Sequence, residues 1–221
     1  MKESRALTRL FSIAFVVFII TFSIGLPIFI RPFYYMHIDA LSLPETLLLT
    51  KEQIKDAYDR VLDYLLIPGK DFETGIFPHS EIGHDHFRDC KILFFISNSL
   101  LFLSFITVIT ILLFERKGKI ELVRKNKRHI SYTTAKRLMF GFVIAALLIS
   151  VSFETAFTLF HKIFFPGKDN WELSYKTDPF VLALPEEFFR NCAIFIFVSI
   201  LLQCTITLII NLINERKNRR D

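Results

Sequence analysis

The sequence predicts an all-α membrane protein. Four transmembrane helices have both termini inside, and an extracellular loop subdomain contains an amphipathic helix. Two observations predict this. Residues 10–30, 92–114, 138–160 and 191–213 are apolar runs with few or no charges. Each exceeds the about 20 residues that a helix needs to cross the hydrocarbon core. Lysine and arginine, moreover, gather in alternate connections. Lys2, Arg5 and Arg9 precede the first run, and Arg216, Lys217, Arg219 and Arg220 follow the fourth. Arg116, Lys117, Lys119, Arg124, Lys125, Lys127, Arg128, Lys136 and Arg137 crowd residues 115–137. The loop over 31–91 is acidic instead, with Asp39, Glu45, Asp56, Asp59, Asp63, Glu73, Asp85 and Asp89 among its residues. Cytoplasmic segments are the ones enriched in Lys and Arg. The basic hairpin and both ends therefore read as inside, and the loops 31–91 and 161–190 as outside, in one membrane domain spanning 1–221.

The net charge of +5 fits the same reading. In a soluble chain it would suggest nucleic acid as partner; here the excess sits on inner-face segments that meet anionic lipid. Three cysteines, Cys90, Cys192 and Cys204, make no disulfide framework, although Cys90 and Cys192 both lie at outer span ends where a bridge is geometrically possible. The first run follows a basic stretch, as a signal peptide would. It is longer than the usual h-region, so it reads as a retained anchor.

After the first run, Arg31, Phe33, Tyr34 and Tyr35 form a basic-aromatic cluster suited to the head-group region. Thr50-Lys-Glu-Gln53 reads as a capping box. Behind it Ile54, Ala57, Tyr58, Val61, Leu62 and Leu65 recur at helical spacing and predict an amphipathic helix ending near Pro68-Gly69. Its expected role is to lie on the membrane or cap the bundle. Residues 71–89 are polar and carry His79, His84 and His86. The second outer loop holds the sole tryptophan, Trp171, amid phenylalanines, a composition expected at an interface.

Five of the six histidines fall outside on this topology, and two sit at span mouths: His86 before the second span and His161 directly after the third. Both belong at the outer interface. Histidine takes and gives protons near neutrality, which suits general acid-base work. Asp89 shares a face with His86 if the second span's helix extends outward, where it either orients the imidazole or caps the helix. Glu154, seven residues before His161, is an ionisable group within the third span and so a functional candidate or a hydrated structural group. A metal site competes for His79, Glu81, His84, Asp85, His86 and Asp89, but no HExxH, CxxC or recurring ligand spacing supports one. Cys90 beside His86 reads as a nucleophile or as a small apolar filler. No nucleotide or serine-hydrolase signature appears. A non-enzymatic membrane partner or pH sensor is the other class that the histidines allow.

The outer segments resemble a known family. Phe160-His161-Lys-Ile-Phe164-Phe165, Trp171, Asp178-Pro179 and Pro185-Glu186-Glu187-Phe188-Phe189 are similar to the signature of the lipoprotein intramolecular transacylases, Lit. Ala57-Tyr58-Asp59 through Asp63-Tyr64-Leu65 and His86-Phe-Arg-Asp89 fit as well, and the similarity spans essentially the whole chain. The chain departs at Phe87 and Cys90, where the family tends to have Met and an aliphatic; this argues against Cys90 as an essential nucleophile. The resemblance implies a bacterial plasma-membrane acyltransferase facing the outer leaflet and needing no cofactor. Its implied substrates are diacylglyceryl lipoproteins, and the reaction moves the sn-2 acyl chain to the α-amino group of the N-terminal cysteine. No obligate protein partner is implied. The catalytic pair maps onto His86 and His161. Asp89, Glu154, Trp171, Asp178, Glu186, Arg31 and Tyr34 are the candidates for orienting that pair or binding substrate.

Overall fold

The computed structural model describes residues 3–124 and 128–217. Lys2, Lys125, Lys127, Arg219 and Arg220, used above to orient the chain, lie outside the described residues. The helices are α1 (Arg5–Phe29), α2 (Arg31–Ala40), α3 (Leu43–Leu47), α4 (Lys51–Leu66), α5 (Glu81–Arg116), α6 (Ile130–Val151), α7 (Phe153–Phe164) and α8 (Glu186–Lys217), with a 3₁₀ turn at Pro179–Ala183. α1, α5, α6 and α8 are long and apolar enough to cross a membrane. Large apolar side chains such as Phe102, Leu103, Phe140, Leu147, Leu202 and Ile213 stay exposed on them, as hydrocarbon-facing surfaces require.

Two of these helices differ from the apolar runs in a way that matters. α5 begins at Glu81, eleven residues before the apolar run at Ile92, so His86 and Asp89 ride on one rigid helix. The run over 138–160 is not one helix. The backbone turns extended at Ser152 (φ −156°, ψ 104°), whose Oγ accepts the Thr155 N–H at 3.2 Å and starts α7. Ser152 competes for backbone hydrogen bonds as an N-cap, and this wins over the uniform hydrophobicity of the run. Glu154 therefore lies not within a continuous third span but in the first turn of α7, exposed, where its charge complements the helix N-terminus.

The chain folds as two compact units. One comprises Met1–Gly25, Asn98–Leu148 and Phe195–Asp221. Its helices meet through large apolar side chains interleaved with small and polar ones, the latter a common device where lipid is as apolar as the side chains. Ile19, Ala135, Ile200 and Cys204 pack together, and Ser23 Oγ lies 3.1 Å from Ser199 Oγ and accepts from Gln203 Nε2 at 2.8 Å. His129 pairs with Glu115 (3.0 Å) and Ser131 (2.8 Å), and Arg128 with Glu215 (3.0 Å).

The other unit, Leu26–Ser97 and Ile149–Ile194, contains both loops that the charge pattern assigns to the outside. The capping box forms as the sequence predicts: Thr50 Oγ1 accepts the Gln53 N–H at 3.3 Å, and Gln53 Oε1 accepts the Thr50 N–H at 2.9 Å. The apolar face of α4 packs with Tyr34, Ile38, Phe77, Phe180, Ala183 and Phe188 into a core. Tyr34 belongs to this core and not to an open head-group surface, whereas Arg31 is half-buried at its edge. Tyr34 is fully buried, stacks on Tyr58 at 3.7 Å and donates its hydroxyl to the Ala183 carbonyl at 2.8 Å. Arg31 bridges α2 to α4 through Asp59 (2.9 Å) and Asp63.

Candidate functional site

The site is built at the start of α5. Ser80 donates its backbone N–H and its hydroxyl to Asp178, both at 2.8 Å, and its Oγ accepts the Gly83 N–H at 3.0 Å. Thr177 adds a further hydroxyl bond to Asp178 at 2.7 Å. Burial opposes ionisation of this carboxyl, but the hydrogen bonds from Ser80 and Thr177 outweigh it and hold Asp178 below the usual carboxylate range. Asp178 is thus the anchor that ties the second outer loop to the first turn of α5. One and a half turns further along that helix stands His86.

His86 is buried beside His161 of α7; their ring centroids are 6.0 Å apart. The Phe165 edge meets His86 at 5.3 Å. His161 meets Phe157 at 4.3 Å and Trp171, which stacks on it at 4.7 Å and 25°. Its Nδ1 lies 2.8 Å from the Phe157 carbonyl. A carbonyl only accepts, so Nδ1 carries the hydrogen and Nε2 keeps a lone pair free for a proton. Burial pushes the His161 imidazole below its ordinary pKa, which keeps it neutral. On His86, Nε2 lies 3.6 Å from Cys90 Sγ, and Nδ1 is buried with no hydrogen-bond partner among the described residues. A buried polar nitrogen left unpaired is costly, which marks it as a group awaiting a ligand.

Asp89 neither reaches an imidazole nor caps α5. Its carboxylate accepts Lys168 Nζ at 2.6 and 2.7 Å and Asn170 Nδ2 at 2.9 Å. Lys168 and Asn170 carry no signature of their own in the sequence. The signal that points to them is Pro166-Gly167, which turns the chain back after α7 with Gly167 at φ +72° and so delivers the next residues to Asp89. Of the remaining candidates, Glu186 is exposed in the first turn of α8, Tyr34 is committed to the core described above, and Arg31 is half-buried and paired with Asp59 and Asp63. His79 and His84 belong to an aromatic cluster around Phe72, with His84 stacked on that ring at 5.2 Å and 13°. A cleft of about 590 Å³ is lined by Asp56, Arg60, Phe72, Glu73 and His79, not by the histidine pair. Among the described residues no three His, Cys, Asp or Glu side chains converge as a metal-ligand set.

Fold and site together define a polytopic helical membrane protein with two buried imidazoles side by side, one of them with a nitrogen that finds no partner among the described residues. The family model of lipoprotein intramolecular transacylase Lit matches residues 9–189. The chain is also similar to the crystallised membrane-integral lipoprotein intramolecular transacylase Lit from Bacillus cereus: TM-score 0.88, 26% identity, 98% of each chain covered. A variant of that Bacillus cereus protein with one histidine changed to alanine gives a TM-score of 0.82 at 24% identity, covering 98% of this chain and 96% of the other. That second likeness speaks for the fold alone. A search of curated proteins finds no match. The chain belongs to the lipoprotein intramolecular transacylase family and is an acyltransferase.

Proposed function

We propose that this acyltransferase moves the sn-2 acyl chain of a diacylglyceryl lipoprotein to the α-amino group of its N-terminal cysteine, at the outer leaflet of a bacterial plasma membrane. The observation that carries the reading is the histidine pair, with a free Nε2 on His161 and an unpartnered Nδ1 on His86. Donor ester and acceptor amine belong to one molecule, so binding that molecule supplies the orientation, which can be worth several kcal/mol. Ester-to-amide exchange is downhill, so proton management is the task left to the protein.

His161 Nε2 takes the proton from the α-amine as its nitrogen attacks the ester carbonyl. The new N–C bond forms, the tetrahedral adduct collapses, and the C–O bond to glycerol breaks. His86 Nδ1 faces the oxygen that carries the developing charge and helps return a proton to the departing glycerol oxygen. The amine's proton ends on the glycerol hydroxyl, and the pair returns to its starting state.

Replacing His86 or His161 with Ala is expected to slow conversion of a diacylated lipopeptide to its lyso form by about 10²–10⁴-fold, the contribution of a positioned acid or base. Mass spectrometry of the product reads this directly. Full activity in both variants removes the pair from the reaction. The pair acts by proton transfer without Lewis-acid help, so EDTA is expected to leave the rate unchanged. Loss in EDTA with recovery on adding zinc would move the chemistry to a metal.

A further inference from the structure

We infer that Lys168, Asp89 and Asn170 form a latch whose function is to set Trp171 flat against His161, making Lys168 and Asp89 positioning residues for the base. This rests on the acid-base reading above. The observations are geometric. Asp89 sits one turn beyond His86 on the same rigid helix, and its carboxylate accepts three hydrogen bonds from the loop that follows α7. Lys168 is tied to that loop's next aromatic residue, because its carbonyl accepts Trp171 Nε1–H at 3.1 Å. Asn170 precedes Trp171 directly, and its Oδ1 is a second buried atom without a partner among the described residues. The indole therefore has a fixed place, hung from two adjacent anchors that both end on Asp89.

The consequence for His161 follows from what surrounds it. Phe157 and Phe160 of its own helix, Phe165, Trp171, and His86 of α5 meet the ring, and of these only His86 titrates. With Phe157 and Trp171 both packed against it, the imidazole is restrained, and its Nε2 stays aimed while Nδ1–H is held by the Phe157 carbonyl. Without the latch the loop drops the indole, the ring gains freedom and water, and the base loses both its aim and its low proton affinity. Lys168 and Asp89 touch no reacting atom; they act through Trp171.

Trp171 is the sole tryptophan of the chain, so its fluorescence reports the stack without any substrate. An imidazolium quenches an adjacent excited indole, and a neutral imidazole does so far less. In the purified full-length protein, emission is expected to rise with pH as His161 loses its proton. His161→Phe is expected to abolish that transition. Lys168→Met and Asp89→Asn are expected to flatten it and to lower the single-turnover rate about 10–100-fold, the cost of a small misplacement, with KM little changed. Lys168→Arg, which keeps the ion pair, is expected to restore both readouts. Should Lys168→Met not fold, Trp171→Leu keeps the Lys168–Asp89–Asn170 bonds and removes the aromatic stack, and is expected to lose rate to a similar extent. A Lys168→Met protein that titrates and turns over like wild type overturns the inference, as does a Trp171→Leu protein of wild-type rate. The fluorescence readout is independent of the chemistry. Loss of the pH transition in Lys168→Met together with full activity in His86→Ala and His161→Ala would therefore sink the reaction mechanism and with it the positioning role, leaving only a structural tie that holds Trp171 on His161.

Discussion

At the scale of single residues, the two histidines differ in ways that set the pH dependence of the reaction. The attacking α-amine must be neutral, and its reference pKa is about 7.7–8.0. His161 must also be neutral to act as base, and burial lowers its pKa from the ordinary value of about 6.5. Lowering means that it stays competent further into acid, so the amine governs the first loss of rate as pH falls below about 8. Only under about pH 6.5 does protonation of His161 add a second loss. The logarithm of the single-turnover rate is therefore expected to fall with a slope near one, then more steeply. A purified diacylated lipopeptide assayed from pH 5 to 9 checks this, and a flat profile from pH 5 to 8 would remove the proton from the rate-limiting step. The Cys90 thiol lies against His86 Nε2 but offers only a weak, polarisable contact, in keeping with a filler.

At the scale of elements, the start of α5 is where one small residue decides the geometry. Gly83 lies in a helix, where alanine is ordinarily better by about 0.5–1 kcal/mol. Here a Cβ would lie 2.9 Å from Asp178 Cγ, against a carboxylate fixed by Ser80 and Thr177. Gly83→Ala is therefore expected to destabilise by about 1–3 kcal/mol, the range for overpacking, and to lower activity because α5 carries His86. Gly141→Ala in α6, where nothing lies within 4 Å of the added Cβ, is the control and is expected to be neutral or slightly stabilising. Thermal unfolding in detergent compares the two; equal midpoints would mean that Asp178 simply moves aside. The same elements show what was legible. Thr50 and Gln53 announced α4 because capping is local chemistry, and the apolar runs announced the spans because the bilayer imposes length. The closeness of His86 and His161 is legible because each lies at the mouth of an apolar run. The break at Ser152 was hidden by the hydrophobicity of 138–160, although Ser152 and Glu154 together carry a helix-start pattern. Lys168 and Asn170 were illegible because their meaning lies in a partner, Asp89, some 80 positions earlier, that only tertiary structure supplies.

At the scale of the whole molecule, orientation in the membrane decides which lipid leaflet the histidine pair can serve. Charge is what orients the chain: residues 115–137 and both ends carry the Lys and Arg excess, while 31–91 is acidic. Not all of that basic charge is free for lipid. Arg128 is paired with Glu215, and Arg124 lies 4.0 Å from Glu115. Lys117, Lys119, Lys136 and Arg137 remain in the same hairpin, so the excess that orients the chain survives these pairings. A reporter that functions only in the cytoplasm is therefore expected to work when fused after Arg128. One that functions only outside is expected to work when inserted near Gly69, where the chain turns at positive φ with nothing within 4 Å of an added Cβ and accepts an insertion without crowding. The pairing of the two results is what tests the idea. An outside signal after Arg128 with an inside signal at Gly69 would turn the chain over. It would bring His86 and His161 to the cytoplasmic leaflet, and a substrate lipidated on the outer surface could not reach them.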